Sequence, residues 1–177
     1  MTILKVLTYP NPTLRKPCED IPKIDASIQT LIDDMFDTMH SRRGIGLAAP
    51  QVGANLNLYI SDLTPDYSSP KVFINPKIVA RQGSIVWEEG CLSVPGYTDK
   101  VTRAEHIEIE ALNRDGEVFR LEAAGLYAVA LQHEMDHLDG KVFVQYLSRL
   151  KRDSVKRKMN KIKKSGIDDG VEAAANL

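Results

Sequence analysis

The stretch Leu131-Gln132-His133-Glu134-Met135-Asp136-His137-Leu138 ends a run of residues whose apolar positions recur at helical spacing. On an α-helix, residues four apart lie on one face about 6 Å from each other, so His133 and His137 can bind one metal ion. Glu134 then lies beside that ion, where it can take a proton from water. The pattern predicts a hydrolytic metal site, and two surface histidines on an ordinary helix are the alternative.

The composition is that of one globular domain. The chain has 177 residues, of which 43% are hydrophobic and 27% charged, so it can form a stable core without disulfides. No segment approaches the length of a membrane span, and the first residues lack a signal or transit pattern. We therefore expect a cytoplasmic protein that contacts no membrane.

Positive charge is concentrated near the carboxyl end. Residues 149–164 contain nine basic residues and one acid, Asp153, which gives this segment +8 in a chain of net charge −1. The remaining residues therefore sum to −9. A basic segment on an acidic body is suited to an anionic partner, and a solvated charged helix is the alternative.

Hydrophobic periodicity predicts three helices. The first begins after Asp25, a suitable N-cap, and ends near Gly44, and the second covers Gly125–Leu138. The third, a basic amphipathic helix over 147–164, precedes a tail expected to fray. Its imperfect apolar seam consists of Leu147, Leu150, Val155, Met159 and Ile162.

Short apolar segments predict strands between these helices. The segments are 3–7, 56–60, 71–74, 77–80, 84–87 and 142–146. Clean alternation at 106–111, a turn at 113–116 and a second apolar run at 118–121 predict an antiparallel hairpin with one wet face. Two glycines within residues 44–51 indicate a loop whose backbone approaches a ligand or another segment.

Two histidines do not complete a metal site. Other zinc hydrolases take a third ligand downstream, but here the matching position is Phe143 and the only later glutamate is Glu172, in the tail. Upstream, Cys91 lies between a glycine and a Pro-Gly turn, and thiolate is a good ligand for Zn²⁺ or Fe²⁺. Cys18 has no comparable setting. The sequence favours Cys91 as the third ligand, and a buried inert cysteine is the alternative.

In three motifs the sequence resembles the peptide deformylase family. They are Gly-Ile-Gly-Leu-Ala-Ala-Pro-Gln at 44–51, Glu-Gly-Cys-Leu-Ser at 89–93 and Gln-His-Glu-Met-Asp-His at 132–137. The resemblance covers a catalytic domain, 1–150, and leaves 151–177 as a basic C-terminal helix and tail. It implies an α+β fold in which antiparallel sheets surround the helix that carries the histidines. It also implies removal of the N-formyl group from the N-terminal formyl-methionine of newly synthesised polypeptides, with release of formate.

The resemblance also implies roles for individual residues. Glu134 would move a proton from water to the leaving amine, while Gln51 and the Leu92 N–H would hold the formyl oxygen. Gly46 would let its loop run beside the peptide like an added strand. The metal ligands would be Cys91, His133 and His137. The methionine pocket would be lined by Ile45, Leu126, Val129 and Ala130. We further expect an ion pair between Glu89 and Arg103 to support the Cys91 segment.

Metal and partners are implied by the same resemblance. It favours one Fe²⁺ per chain in the cell, with Zn²⁺, Ni²⁺ or Co²⁺ in purified protein, and it places the basic helix on the ribosome, with no specific binding to DNA. Some relatives have an arginine where this chain has Tyr97-Thr98, so preferences beyond the methionine are not implied. The alternatives are another metallohydrolase, disfavoured by Cys91 and Gln51, and an inactive ribosome-associated binding protein, disfavoured by the intact Glu134.

Overall fold

The computed structural model describes residues 2–165, which form helices and antiparallel sheets as expected. The helices are α1 (Ala26–Ser41), α2 (Gly125–Leu138) and α3 (Arg149–Lys164). The strands are β1 (Gly46–Ala48), β2 (Leu58–Ser61), β3 (Lys71–Gln82), β4 (Ile85–Glu89), β5 (Asp99–Arg103), β6 (His106–Leu112) and β7 (Val118–Ala124). Short 3₁₀ helices cover Pro12–Arg15, Ala49–Val52 and Phe143–Tyr146.

The larger sheet separates α1 from α2. Its five antiparallel strands have the order β1-β2-β3-β6-β7, while β4 and β5 form a separate hairpin. Because side chains alternate along a strand, Leu58 and Ile60 of β2 pack on α1, whereas Tyr59 packs in the cluster that contains α2. Strand β2 is therefore buried on both faces.

Helix α2 is enclosed by protein around most of its surface. Its buried positions include apolar Val129 and Leu131 together with polar Gln132, His133 and Glu134. A helix with a single apolar stripe would leave such polar residues in water, whereas α2 carries them into the interior. Because this helix is buried, its polar side chains form a site that is shielded from solvent.

The predicted helices are confirmed, with one exception in α3. The side chain of Asp25 caps α1 by accepting bonds from the Ser27 and Ile28 amides at 3.0 and 3.2 Å, and α2 has the predicted bounds. Helix α3 begins at Arg149, and Leu150 at its start is 82% exposed, so Leu150 does not belong to the apolar seam. The tail predicted to fray lies outside the described residues from 166 onward.

Two predicted strands are wrong. Residues 3–7 join no sheet: the Leu4 amide donates to the Thr38 side chain and the Leu7 amide to the Gln51 backbone carbonyl. Residues 142–146 contain a 3₁₀ helix instead. Both segments are apolar because they cover the core, and burial alone does not distinguish a strand from an irregular segment.

The strands predicted at 71–74 and 77–80 are one continuous strand, β3. Pro76 lacks an N–H, and the pairing with β6 shifts between Ile74 and Lys77 before it resumes. Nearby, the loop predicted at 44–51 contains the short edge strand β1. No helix within residues 2–165 is both long enough and apolar enough to cross a membrane.

Candidate metal centre

Three side chains from two distant parts of the chain meet at one point. The Nε2 atoms of His133 and His137 are 3.3 Å apart, and Cys91 Sγ lies 3.4 Å from His137 Nε2. The three donor atoms all lie within 4.8 Å of one another. The two histidines come from successive turns of α2, and Cys91 comes from the turn that follows β4.

The spacing of these donors fits a metal ion. Tetrahedral coordination with metal–N bonds of about 2.0–2.1 Å and a metal–S bond of about 2.3 Å requires N–N and N–S separations of roughly 3.3 and 3.6 Å. One thiolate and two imidazoles form a donor set that suits Zn²⁺ or Fe²⁺. Burial and the neighbouring His133 and Arg103 lower the pKa of His137, which favours the neutral imidazole that a metal needs.

His133 is oriented by a buried carboxylate behind it. Its Nδ1–H donates to Glu89 Oε1 at 2.8 Å, which leaves Nε2 free to face the centre. Arg103 binds Glu89 with two bonds of 2.8 and 2.9 Å, so the expected ion pair is confirmed. Burial opposes the charged form of Glu89, but the bonds from Arg103 and His133 outweigh it and hold its pKa at about 2.

The support extends to two residues that the sequence did not indicate. Asp136 accepts a hydrogen bond from Arg103 and another, at 2.8 Å, from the Tyr146 hydroxyl. The Arg103 guanidinium lies 5.0 Å from the centre of the Tyr146 ring. Asp136 belongs to the quoted motif, but nothing in its spacing shows which arginine it meets. Together these contacts fix Arg103 and Glu89 in position on the Nδ1 side of His133.

Gln51 and Leu92 flank the thiol of Cys91. The side-chain oxygen of Gln51, Oε1, accepts a hydrogen bond from the Ala48 backbone amide at 2.9 Å. This bond turns the side-chain Nε2 toward Cys91 Sγ at 3.5 Å and Ser93 Oγ at 3.1 Å. The Ser93 amide contacts Cys91 Sγ at 3.4 Å. Among the hydrogen bonds of residues 2–165, none uses the Leu92 N–H. Beside Cys91 the Leu92 N–H is thus without a partner in these residues, whereas the Gln51 side-chain amide is directed at Cys91 and Ser93.

Glu134 is buried beside the centre, and Gly46 makes room for it. A Cβ placed on Gly46 would lie 2.4 Å from Glu134 Oε1, well inside van der Waals contact. Glu134 is 6% exposed, and this burial raises its pKa to about 7. The sequence predicted that the backbone of the loop 44–51 lies close to a ligand or to another segment. At Gly46 the neighbouring group is the Glu134 carboxylate.

The remaining candidates lie on the elements that border the centre. Val129 and Ala130 on α2 are buried, whereas Leu126 near the start of that helix and Ile45 before β1 are partly buried. Helix α2 packs on β1, so these four side chains belong to neighbouring elements. Cys18 is not part of the cluster. Its amide donates to the Leu138 carbonyl at the end of α2, and burial raises the pKa of its thiol to about 11.

Comparisons with known proteins give one consistent result. The family model described as polypeptide deformylase matches residues 3–153. A peptide deformylase from Neisseria meningitidis is 51% identical over 167 residues, which cover 94% of this chain and 100% of the relative. A crystal structure of a peptide deformylase from Legionella pneumophila superposes with a TM-score of 0.90 at 48% identity and covers 94% of this chain and 98% of that one. Another, from Ehrlichia chaffeensis in complex with actinonin, has a TM-score of 0.88 at 41% identity, covering 91% of this chain and 98% of that one.

Proposed function

Because the chain belongs to the polypeptide deformylase family, we propose that it hydrolyses the N-formyl group of N-terminal formyl-methionine in newly synthesised polypeptides. The observation that carries this proposal is the meeting of Cys91, His133 and His137 with the buried Glu134 beside them. In the reaction the formyl C–N bond breaks, water supplies the new C–O bond, and formate leaves. The chain is thus a metal-dependent amide hydrolase.

We propose one divalent ion on Cys91, His133 and His137. A bound ion would act as a Lewis acid that polarises the formyl carbonyl and makes water more acidic. Iron(II) is the proposed ion in the cell, and zinc, nickel or cobalt suits the same donors in purified protein. One partly buried cysteine with two buried histidines supports this donor set and is compatible with each of these metals.

Glu134 is the proposed proton carrier. A carboxyl with a pKa of about 7 is partly ionised near neutral pH, so it can accept a proton from water and deliver it afterwards. The acceptor at the end of the reaction is the amine nitrogen of methionine, which would leave poorly as an anion. One side chain therefore acts first as base and then as acid.

Gln51 and Leu92 are the proposed donors to the formyl oxygen. The Gln51 side chain is held by the hydrogen bond that its oxygen accepts from the Ala48 backbone N–H. The Leu92 N–H belongs to the residue that follows Cys91. Donors already in position need no reorganisation as negative charge develops on that oxygen. Loss of one such donor commonly lowers kcat by about 100-fold.

The peptide is proposed to bind along β1. This strand is at one edge of the larger sheet, so its outer side can pair with an extended peptide that runs past Gly46. The methionine side chain would then enter the space between the two bordering elements. Its proposed lining is Ile45 from the segment before β1 and Leu126, Val129 and Ala130 from α2.

Formate release from a formyl-Met tripeptide tests this function. The protein is purified without oxygen, its metal content is counted, and Glu134→Ala serves as the control. We expect formate production that requires about one metal per chain and is lost in the control. A metal-loaded parent that releases no formate would instead match an inactive family member, and a metal-free protein would remove the premise.

The basic helix α3 is the proposed partner-binding segment. Most of its basic side chains are exposed, although Lys151 pairs with Asp99 and Lys158 contacts the Gly96 carbonyl. We propose that residues 151–177 attach the catalytic domain, 1–150, to the ribosome in the cytoplasm through phosphate contacts. Within residues 2–165, the exposed Lys156, Lys163 and Lys164 form no ion pair, which supports this interpretation of the helix.

Charge neutralisation tests ribosome binding better than deletion of the helix. Val155 and Met159 are buried in the core, so removal of α3 would expose apolar surface. We expect Lys156, Arg157, Lys163 and Lys164, all changed to glutamine, to weaken co-sedimentation with ribosomes most strongly at low salt. The matched control changes four exposed lysines elsewhere, Lys5, Lys23, Lys77 and Lys141. Equal binding by both variants would refute the proposal.

A further inference from the structure

The pairing of β1 with β2 places Ser61 behind Glu134. Gly46 is directly opposite Ser61 in the antiparallel ladder, and opposed residues project to the same face with Cβ atoms about 4.5–5.5 Å apart. The Cβ direction of Gly46 leads to the Glu134 carboxylate, 2.4 Å from Oε1. The Ser61 side chain therefore faces the region of this carboxylate.

Tyr59 faces the same region from two residues earlier on β2. It is opposite Ala48 and packs in one cluster with Ala128 and Leu131 of α2. Burial raises the pKa of Tyr59, and the negative charge of Glu134 raises it further, which is consistent with a hydroxyl near that carboxylate. The hydroxyls of Ser61 and Tyr59 thus lie in the layer between β2 and α2.

Three buried polar atoms in this layer lack hydrogen bonds. Within residues 2–165, neither Glu134 Oε2, Ser61 Oγ nor the Tyr59 hydroxyl has a partner. Ser61 is 1% exposed and Tyr59 0%. Buried polar groups almost always have a partner, and those too far apart for a direct bond are commonly joined by ordered water.

We propose that Ser61 is a positioning residue for Glu134, because its hydroxyl and that of Tyr59 hold an ordered water molecule against Glu134 Oε2. Gly46 makes this possible, since any side chain there would collide with the carboxylate. The inference rests on the proposed role of Glu134. It adds a fixed hydrogen bond on the side of the carboxylate that faces away from the substrate.

Such a bond would affect the reaction more than substrate binding. The proposed substrate contacts are at Gln51, Leu92, the outer edge of β1 and the methionine pocket, whereas Ser61 lies on β2, on the inner side of β1. Without the bond, the buried carboxylate has more orientations available, and fewer of them suit proton transfer. The loss should therefore appear in kcat while KM changes little.

Ser61→Val and Ser61→Thr form the decisive pair, because the two side chains have nearly the same shape and differ in the hydroxyl. We expect kcat of Ser61→Thr to stay within about threefold of the parent, while Ser61→Val and Ser61→Ala lose about tenfold, as for one hydrogen bond of ordinary strength. KM and metal content should be unchanged in all of them. Equal kcat for the Val and Thr variants would overturn the proposal.

Thr38→Val is the matched control for loss of a buried hydroxyl. Thr38 is 0% exposed, and its hydroxyl accepts from the Leu4 amide and donates to the Asp34 carbonyl, away from the metal ligands. We expect this variant to be less stable but to keep the kcat of the parent. A fall in kcat equal to that of Ser61→Val would show that general destabilisation explains both, which would contradict the proposal.

Urea unfolding of the metal-free protein tests the inference without activity. Ser61→Ala should raise the unfolding equilibrium constant about tenfold in the parent but less than threefold in the Glu134→Ala background, because the bonded partner is then absent. Equal effects in both backgrounds would overturn the coupling. If the parent releases no formate, the proposed function fails, and this cycle still decides whether Ser61 is linked to Glu134.

Discussion

The two carboxylates beside His133 and His137 have opposite surroundings. Glu89, behind His133, has bonds to Arg103 and to the imidazole, and its pKa is held at about 2. Glu134 follows His133 on α2. Its Oε2 is buried and has no partner in residues 2–165, and burial raises the pKa of the carboxyl to about 7. Both are shielded from water, so neighbouring groups rather than exposure account for the difference.

This contrast matches the two proposed roles, in which Glu89 orients a metal ligand and Glu134 moves a proton. A carboxylate that orients a histidine must remain charged and in place, which requires strong donors on both oxygens. A carboxylate that exchanges protons must have both protonation states accessible near neutral pH, which strong donors would prevent. The fold therefore surrounds Glu89 with charge and leaves Glu134 in a weakly polar layer.

Arg103→Ala should have the largest effect, because it removes the donors on the Glu89 side. It leaves the buried Glu89 without its charged partner and with His133 as its remaining donor, for which we expect a loss of about 3–5 kcal/mol in the free energy of unfolding. Metal affinity should fall about 10- to 100-fold as His133 loses its orientation. Urea unfolding and metal titration measure the two effects.

Arg114→Ala is the control for that change. Arg114 pairs with Asp33 at the surface, where both side chains are well exposed, so we expect a loss below about 1 kcal/mol. If Arg103→Ala kept the metal affinity of the parent, the pair would have no role in orienting the ligands.

The pH dependence of stability should have opposite sign for the two carboxyls. In the metal-free protein the Glu134 pKa is higher than its unfolded value of 4.5, so its contribution is complete below pH 4.5 and is lost as pH rises through about 7. Relative to a Glu134→Gln variant, the parent should therefore lose about 3 kcal/mol between pH 4.5 and 8.

Glu89 should behave in the reverse way. Its contribution is present above pH 4.5 and is lost as pH falls toward 2. Urea unfolding of both metal-free proteins at several pH values measures the difference for Glu134. If the difference in unfolding free energy between parent and variant did not change with pH, the pKa of Glu134 would be unshifted. The contrast between Glu134 and Glu89 would then be refuted.

Gly46→Ala should disturb the Glu134 side alone. The new methyl group must displace the carboxylate, and a displacement of about 1 Å can cost on the order of 100-fold in kcat. Metal content should remain that of the parent, because the ligands are not touched. Steady-state kinetics with counted metal measures this effect.

Gly53→Ala provides a glycine control of the opposite kind. Gly53 has φ of 88° with open space around its Cβ position, so alanine would be strained there without touching Glu134. It should lower stability and leave kcat unchanged. A comparable loss of kcat in both variants would attribute the effect of Gly46→Ala to stability.

Tyr146→Phe should have the smallest effect on the paired side. It removes one hydrogen bond to Asp136 but keeps the ring beside Arg103, and Tyr146 is 51% exposed. We expect a loss of about 1 kcal/mol or less in unfolding free energy, with metal affinity within a few-fold of the parent. A loss as large as that of Arg103→Ala would mean that the network depends on its outermost member.

Much of the fold could be predicted from local patterns. The bounds of α2 and the cap of α1 at Asp25 follow from periodicity and from side chains that act within one turn. The prediction was wrong where apolar residues are buried outside any sheet, as in the 3₁₀ helix within 142–146, and where a proline interrupts a strand without ending it, as at Pro76. In those segments burial depends on what packs against the chain, which local spacing does not encode.

By itself, the sequence determined the chemistry of the centre: two histidines one helical turn apart, a glutamate between them, and a cysteine in a tight turn. Tertiary structure alone decided what surrounds these groups. Arg103 and Asp136 meet because the β4–β5 hairpin packs on α2, and Ser61 faces Glu134 because β1 pairs with β2 in one register. Spacing along a helix is a local property of the chain, whereas contacts between elements depend on register and packing, which arise only when the whole chain folds.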